Sequence, residues 1–180
     1  MISAAPTMPT AAATDTANDY AGAARLEPLA VGAAMLFQPG FNVDAVLTAL
    51  PQASVFMGVP TYVHRLLADA RLTPELCAHM RLFTCGSAPL SAEVHRAFEA
   101  RTGHRIVERY GATEAMIISS NPTDGERRPG SVGLALPGLE VRITDAQDQP
   151  LTTGEIGMIQ VRGPGLFSGY WRLPQQTQQE

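Results

Sequence analysis

From residue 29 to residue 111 the chain alternates short apolar runs with stretches of helical spacing. "VGAAMLFQ" (31–38) reads as a strand, and "NVDAVLTAL" (42–50) as a helix capped by Asn42 and stopped before Pro51. "SVFMGV" (54–59) is a second strand, followed by a helix over "PTYVHRLLADARL" (60–72) with Pro60 in its first turn. Thr73 and Pro74 cap and open a short helix, "TPELCAHM" (73–80). A strand "RLFTCG" (81–86) comes next, then a helix "SAEVHRAFEARTG" (91–103) with Ser91 as cap and Gly103 as stop, and a strand "HRIVERYG" (104–111). Strands separated by helices of this length call for crossover connections and a largely parallel sheet.

The pattern changes near Asn121. "NPTDGERRPGSVG" (121–133) is a polar loop rich in Gly and Pro. "LEVRITD" (139–145) and "IGMIQVRG" (156–163) are strands joined by the turn-rich "AQDQPLTTGE", too short to hold a helix, so this part is expected to be antiparallel. The ending "LPQQTQQE" supplies no regular element, and there is no internal repeat. At the other end, residues 1–28 are rich in Ala, Thr and Pro with few large apolar side chains, the composition of a disordered tail. The expected organisation is a tail over 1–28, an α/β subdomain over 29–126 and a β-rich subdomain over 127–180.

Composition narrows the chemistry. With 180 residues and 45% hydrophobic content, the chain can bury a core, and a net charge of -4 without a basic cluster argues against nucleic-acid binding. All 13 positive residues are arginine. A chain without lysine has no Walker-type phosphate lysine and no amine for a Schiff base. Cys77 and Cys85 have neither a second pair nor a histidine at metal-ligand spacing, so reduced thiols are expected. No apolar run is long enough for a membrane span, and the expected setting is cytoplasmic.

Two strand ends carry candidate chemistry. In "TCGSAPLS" (84–91), small residues at the carboxyl end of a parallel strand let a flat ligand approach the backbone. A plain strand-to-helix connection explains the loop as well. In "RYGATEA" (109–115), Tyr110 offers an aromatic face for a base and Gly111 permits close approach. Thr113 offers a hydroxyl to a phosphate, and Glu114 a hard oxygen ligand for Mg²⁺. A solvated turn beside a core tyrosine is the alternative. The histidines His64, His79, His95 and His104 show no shared facing, and Tyr170 and Trp171 read as edge packing.

"GSAPL", "YGATE" and "GEIGMIQVRGPGLFSGYW", in this order, resemble the motifs of the adenylate-forming superfamily of acyl-CoA synthetases, luciferases and peptide-synthetase adenylation domains. The resemblance runs from about residue 29 to the end. "GVPTYVHRLL" and the stretch from "MRLFTCGSAPL" to "ERYGATE" are most similar to malonyl-CoA synthetases. The resemblance implies an α/β fold: a partial parallel or mixed sheet with flanking helices, from the later part of the large N-terminal domain, then an antiparallel β segment. It further implies that Gly86, Ser87, Ala88 and Pro89 line one side of an adenine pocket, with Glu108, Arg109, Tyr110, Gly111 and Ala112 on another. Thr113 would bond the α-phosphate and Glu114 would hold Mg²⁺, making these two the catalytic pair.

The implied reaction joins a carboxylate to the α-phosphorus of ATP, releases pyrophosphate, and passes the acyl group to coenzyme A with release of AMP. Arg109 and Arg96 are candidates for a second substrate carboxylate, with a solvated surface role as the alternative. Malonate-type members often carry Met where this chain has Ala112.

The family's phosphate loop, ribose-binding aspartate and catalytic lysine have no counterpart in this sequence. The expectation is therefore an internal piece of a ligase, inactive or weak alone. The competing reading is a non-catalytic nucleotide-binding or interaction module that associates with a complete synthetase, and a third is an α/β domain whose loops bind nothing.

Overall fold

The computed structural model describes Thr10–Ala13, residues 32–38 and residues 40–179. These divide into two compact units, one holding residues up to Arg109 together with Asn121–Gly133, the other Tyr110–Ser120 together with Leu134–Glu180. The boundary expected near residue 126 falls inside the second segment of the first unit.

The first unit is a parallel sheet with helices. Its strands are β1 (Thr10–Ala13), β2 (Met35–Gln38), β3 (Val55–Gly58), β4 (Leu82–Cys85) and the start of β5 (Val107–Ala112), in spatial order β2-β1-β3-β4-β5. Four residues of the stretch expected as a tail thus form a strand, hydrogen-bonded in parallel to β2 on one side and β3 on the other. Strand pairing is a tertiary interaction, which an Ala/Thr composition does not advertise. The remainder of that stretch lies outside the described residues.

The connecting helices are α1 (Val43–Ala49), α2 (Pro60–Leu67), α3 (Pro74–Cys77) and α4 (Ala92–Thr102). Their starts follow local chemistry. Asn42 accepts the Ala45 N–H at 2.9 Å, Thr73 the Leu76 N–H at 3.3 Å, and Ser91 the Val94 N–H at 3.2 Å, each satisfying a donor that has no partner within the helix. Gly103 ends α4 at φ 77°, a left-handed position that a side chain would disfavour. The helix expected to reach Leu72 stops at Leu67, and Asp69–Leu72 continues as a turn closed by the Leu72 N–H on Asp69 O.

The core lies between these helices and the sheet: Val46, Leu50, Phe56, Leu66, Leu72, Phe83, Phe98 and Ile106 are all within 2% of complete burial. Phe56 and Phe83 are register partners on adjacent strands, and Phe98 of α4 meets Phe83 edge-on at 5.0 Å. Two histidines are spent on this framework, His79 donating to Leu50 O and His104 to Cys77 O, both at 2.8 Å.

The second unit is antiparallel. The end of β5 turns through Thr113–Ala115 into β6 (Met116–Ser120), which pairs with β7 (Leu134–Ala135). A separate hairpin joins β8 (Glu140–Thr144) to β9 (Met158–Arg162), in register from Glu140↔Arg162 to Thr144↔Met158. The ending expected to lack a regular element forms a short helix, α5 (Pro174–Thr177), because Pro174 suits a first turn. Leu134, Ile156, Met158 and Trp171 are largely exposed. Among the described residues no helix is long and apolar enough to cross a membrane.

Candidate functional site

In the first unit the loop Gly86–Pro89 leaves the carboxyl end of β4. Gly86 is buried and donates its N–H to Gly58 O at 3.3 Å, so the loop begins in contact with the neighbouring strand end. Ser87, Ala88 and Pro89 are exposed, and Ser87 holds φ at 67°. A left-handed serine is uncommon, and such backbone concentrates where loops are shaped for ligands. Leu90 returns to the core, which fixes the loop's far end.

Glu108 and Arg109 lie on the adjoining strand, with Cys85 and Glu108 as register partners. The Glu108 side chain does not face solvent: its Oε1 lies 2.8 Å from His95 Nδ1 and accepts the Gly130 N–H at 3.2 Å, while its carbonyl accepts the Asn121 N–H. Both members of the pair are almost fully buried. The side chain of Glu108 thus braces the loop 122–133. Arg109 is half-buried and reaches Thr84 Oγ1 at 3.4 Å. Burial pushes the Cys85 thiol up to about 12, with the Glu108 carboxylate adding to the shift. That thiol is a packing group and no nucleophile.

In the second unit Tyr110, Gly111 and Ala112 complete β5, and Thr113 and Glu114 sit at the tip of the hairpin. The Ala115 N–H closes the turn on Ala112 O at 3.1 Å, and Met116 takes a left-handed φ of 58° to re-enter β6. Gly111 is required here, since a Cβ would stand 2.2 Å from Met116 O. Thr113 is exposed and Glu114 half-buried. The Glu114 carbonyl accepts the Phe167 N–H at 2.7 Å, and its Oε1 accepts the Tyr170 hydroxyl at 2.6 Å.

Tyr170, read from sequence as edge packing, therefore also holds Glu114. The residues are 56 positions apart. The signal that could have found the pair is the co-occurrence of the "YGATE" and "SGYW" motifs.

The donor set suits a hard cation only in part. Thr113 and Glu114 offer oxygen donors, but among the described residues no three His, Cys, Asp or Glu side chains converge into a cage. One carboxylate without a cage is the arrangement by which Mg²⁺ is held jointly with substrate phosphates.

Residues 8–171 match the family model described as AMP-binding enzyme. The mitochondrial malonate–CoA ligase of Bos taurus is 35% identical over 186 residues, covering 83% of this chain and 32% of that protein. A probable CoA ligase of Humulus lupulus is 42% identical over 132 residues, covering 69% of this chain and 22% of its own length. Among solved structures, ATP-bound MatB from Rhodopseudomonas palustris is 46% identical with a TM-score of 0.91, covering 97% of this chain and 35% of that one. The chain thus spans about a third or less of the length of these relatives; its mixed α/β sheet with flanking helices matches the N-terminal domain of adenylate-forming enzymes, and a further antiparallel sheet is present. Together with the strand-end loop and the Thr113–Glu114 hairpin, the match over residues 8–171 places this chain in the AMP-binding enzyme family.

Proposed function

We propose that this chain supplies the nucleotide-facing loops of an AMP-forming acid:CoA ligase that activates malonate or another short dicarboxylate. The observation that carries the reading is the Thr113–Glu114 hairpin tip, built by Gly111 and held by Tyr170, in a chain 46% identical to ATP-bound MatB. Gly86–Pro89 and the segment Arg109–Ala112 take the adenine, Thr113 bonds the α-phosphate, and Glu114 is the protein ligand to Mg²⁺. Glu108 contributes by position, because its carboxylate is committed to His95 and Gly130.

The metal, when bound, neutralises charge on the phosphates during displacement. A carboxylate oxygen of the acid forms a bond to the α-phosphorus as the bond to pyrophosphate breaks. The thiolate of coenzyme A then displaces AMP from the acyl carbon. Arg109 and Arg96 are the candidates for a second substrate carboxylate, whose planar fork would suit it. We keep the cytoplasm as the proposed setting, with the mitochondrion of the bovine relative as the alternative.

The test is a transplant. The matched third of R. palustris MatB is replaced by this chain, and AMP formation from ATP, malonate and coenzyme A is measured. Activity that Glu114→Gln abolishes supports the reading. A folded chimera that forms no AMP with malonate or any short dicarboxylate overturns it.

A further inference from the structure

We infer that Tyr170 is a positioning residue that fixes the rotation of the Glu114 carboxylate for cation binding, an inference that rests on the reading of Glu114 as a Mg²⁺ ligand. Glu114 stands at a hairpin tip, where a side chain with three rotatable bonds would sample many orientations. Two bonds from one distant segment restrain it. The Phe167 N–H holds the Glu114 carbonyl at 2.7 Å and so sets the backbone, and the Tyr170 hydroxyl holds Oε1 at 2.6 Å and so sets the carboxylate plane. Fixing Oε1 also fixes the direction of Oε2.

Tyr170 is itself held at both ends. Its ring meets that of Phe167 edge-on at 4.9 Å, and its N–H donates to Thr177 Oγ1 at 2.9 Å. Thr177 is anchored in turn to Leu173 O at 3.1 Å. Gly169, at φ 139°, supplies the backbone turn that presents the tyrosine, and a Cβ there would meet Thr177 at 2.7 Å. The whole segment Phe167–Thr177 is thus organised behind one phenol. Removing a partner that orients a metal ligand from behind typically costs about 10–100-fold in metal affinity.

The alternative is that the bond only staples the segment to the hairpin. The two roles separate in a binding measurement. Mn²⁺, as the probe, is titrated by paramagnetic resonance into this chain with ATP present, in native form, as Tyr170→Phe, as Glu114→Gln and as the pair. Tyr170→Phe keeps the ring and removes only the hydroxyl. It is expected to weaken Mn²⁺ binding about 10-fold, with the Tyr170→Phe/Glu114→Gln pair no worse than Glu114→Gln. If Glu114→Gln loses Mn²⁺ while Tyr170→Phe binds as the native chain, positioning is overturned and the ligase reading stands. If the native chain shows no Glu114-dependent Mn²⁺ binding, the assignment of Glu114 falls and this inference with it.

Discussion

His95 Nδ1 lies 2.8 Å from Glu108 Oε1 at a site where both side chains are almost fully buried, and the same oxygen accepts the Gly130 N–H. One carboxylate oxygen therefore joins helix α4, strand β5 and the loop 122–133. Among the described residues His95 Nε2 has no hydrogen-bond partner, so the ring depends on this one bond. Glu108→Leu leaves the buried His95 donor unsatisfied, which costs about 1–3 kcal/mol, while the exposed Gly130 N–H turns to water. Urea unfolding should show a loss of about 1–3 kcal/mol, larger than the loss in the double variant His95→Leu/Glu108→Leu, because the pair is coupled. Additive losses would show that the bond contributes nothing of its own.

Gly111→Ala tests the hairpin that presents Thr113 and Glu114. The new Cβ would sit 2.2 Å from Met116 O and 3.0 Å from Ile117 Cα, both backbone, so the strands must separate. A loss of more than about 2 kcal/mol is expected, at the upper end for overpacking, with weakened nucleotide binding by calorimetry. Gly125→Ala is the control. Its φ of 105° brings backbone strain but nothing lies within 4 Å, so nucleotide binding should not change.

Much of the first unit was legible because its signals are local. Asn42, Thr73 and Ser91 cap helices a few residues away, and Gly103 stops one, so spacing alone locates them. What escaped is long-range. β1 gains its identity from neighbours on both sides, and the Ala/Thr/Pro composition around it signals the opposite. The strand ending in "RYG" reads from sequence as stopping at Gly111, whereas it runs to Ala112 and returns as β6, since Met116 accepts a left-handed turn that glycine would ordinarily mark. Within the candidate site, residue types pointed to Thr113 and Glu114. The Tyr170 and His95 contacts depend on folding and have no sequence period.

The two thiols give a pH signature. Burial pushes Cys77 up to about 11 and Cys85 to about 12 from an ordinary 9.0. The folded state therefore keeps both protons to higher pH than the unfolded chain does. Their contribution to stability is complete below about pH 9 and is lost as pH rises through 11 and 12. Urea midpoints measured on the alkaline side should fall with pH, and more gently in Cys77→Ala/Cys85→Ala. At about pH 8 a disulfide reagent should label neither thiol until denaturant is added; rapid labelling of the native chain would contradict their burial.

Arg127 organises the polar loop without an acidic partner at hydrogen-bond distance among the described contacts. Its guanidinium donates to three carbonyls, those of Pro122, Thr123 and Arg105, and burial lowers its pKa, with the nearby Arg105 charge adding and Asp124 opposing. Three acceptors in a fan match a planar fork with five donors; an ammonium on a flexible stem cannot reach all of them. Arg127→Lys preserves the charge and should still lose about 1–1.5 kcal/mol of local stability, the value of one hydrogen bond. Glu126, which precedes the arginine in the same loop, is already exposed, and local opening frees its backbone to enter a protease cleft. Cleavage by a glutamate-specific protease should accelerate about 5–10-fold in Arg127→Lys, since the rate follows the open population when reclosing is fast. Global unfolding should move less than this local rate, because the loop's other ties, the Asn121 side chain to Ser131 O and Gly130 to Glu108, remain. An unchanged cleavage rate would mean that those ties alone hold the loop.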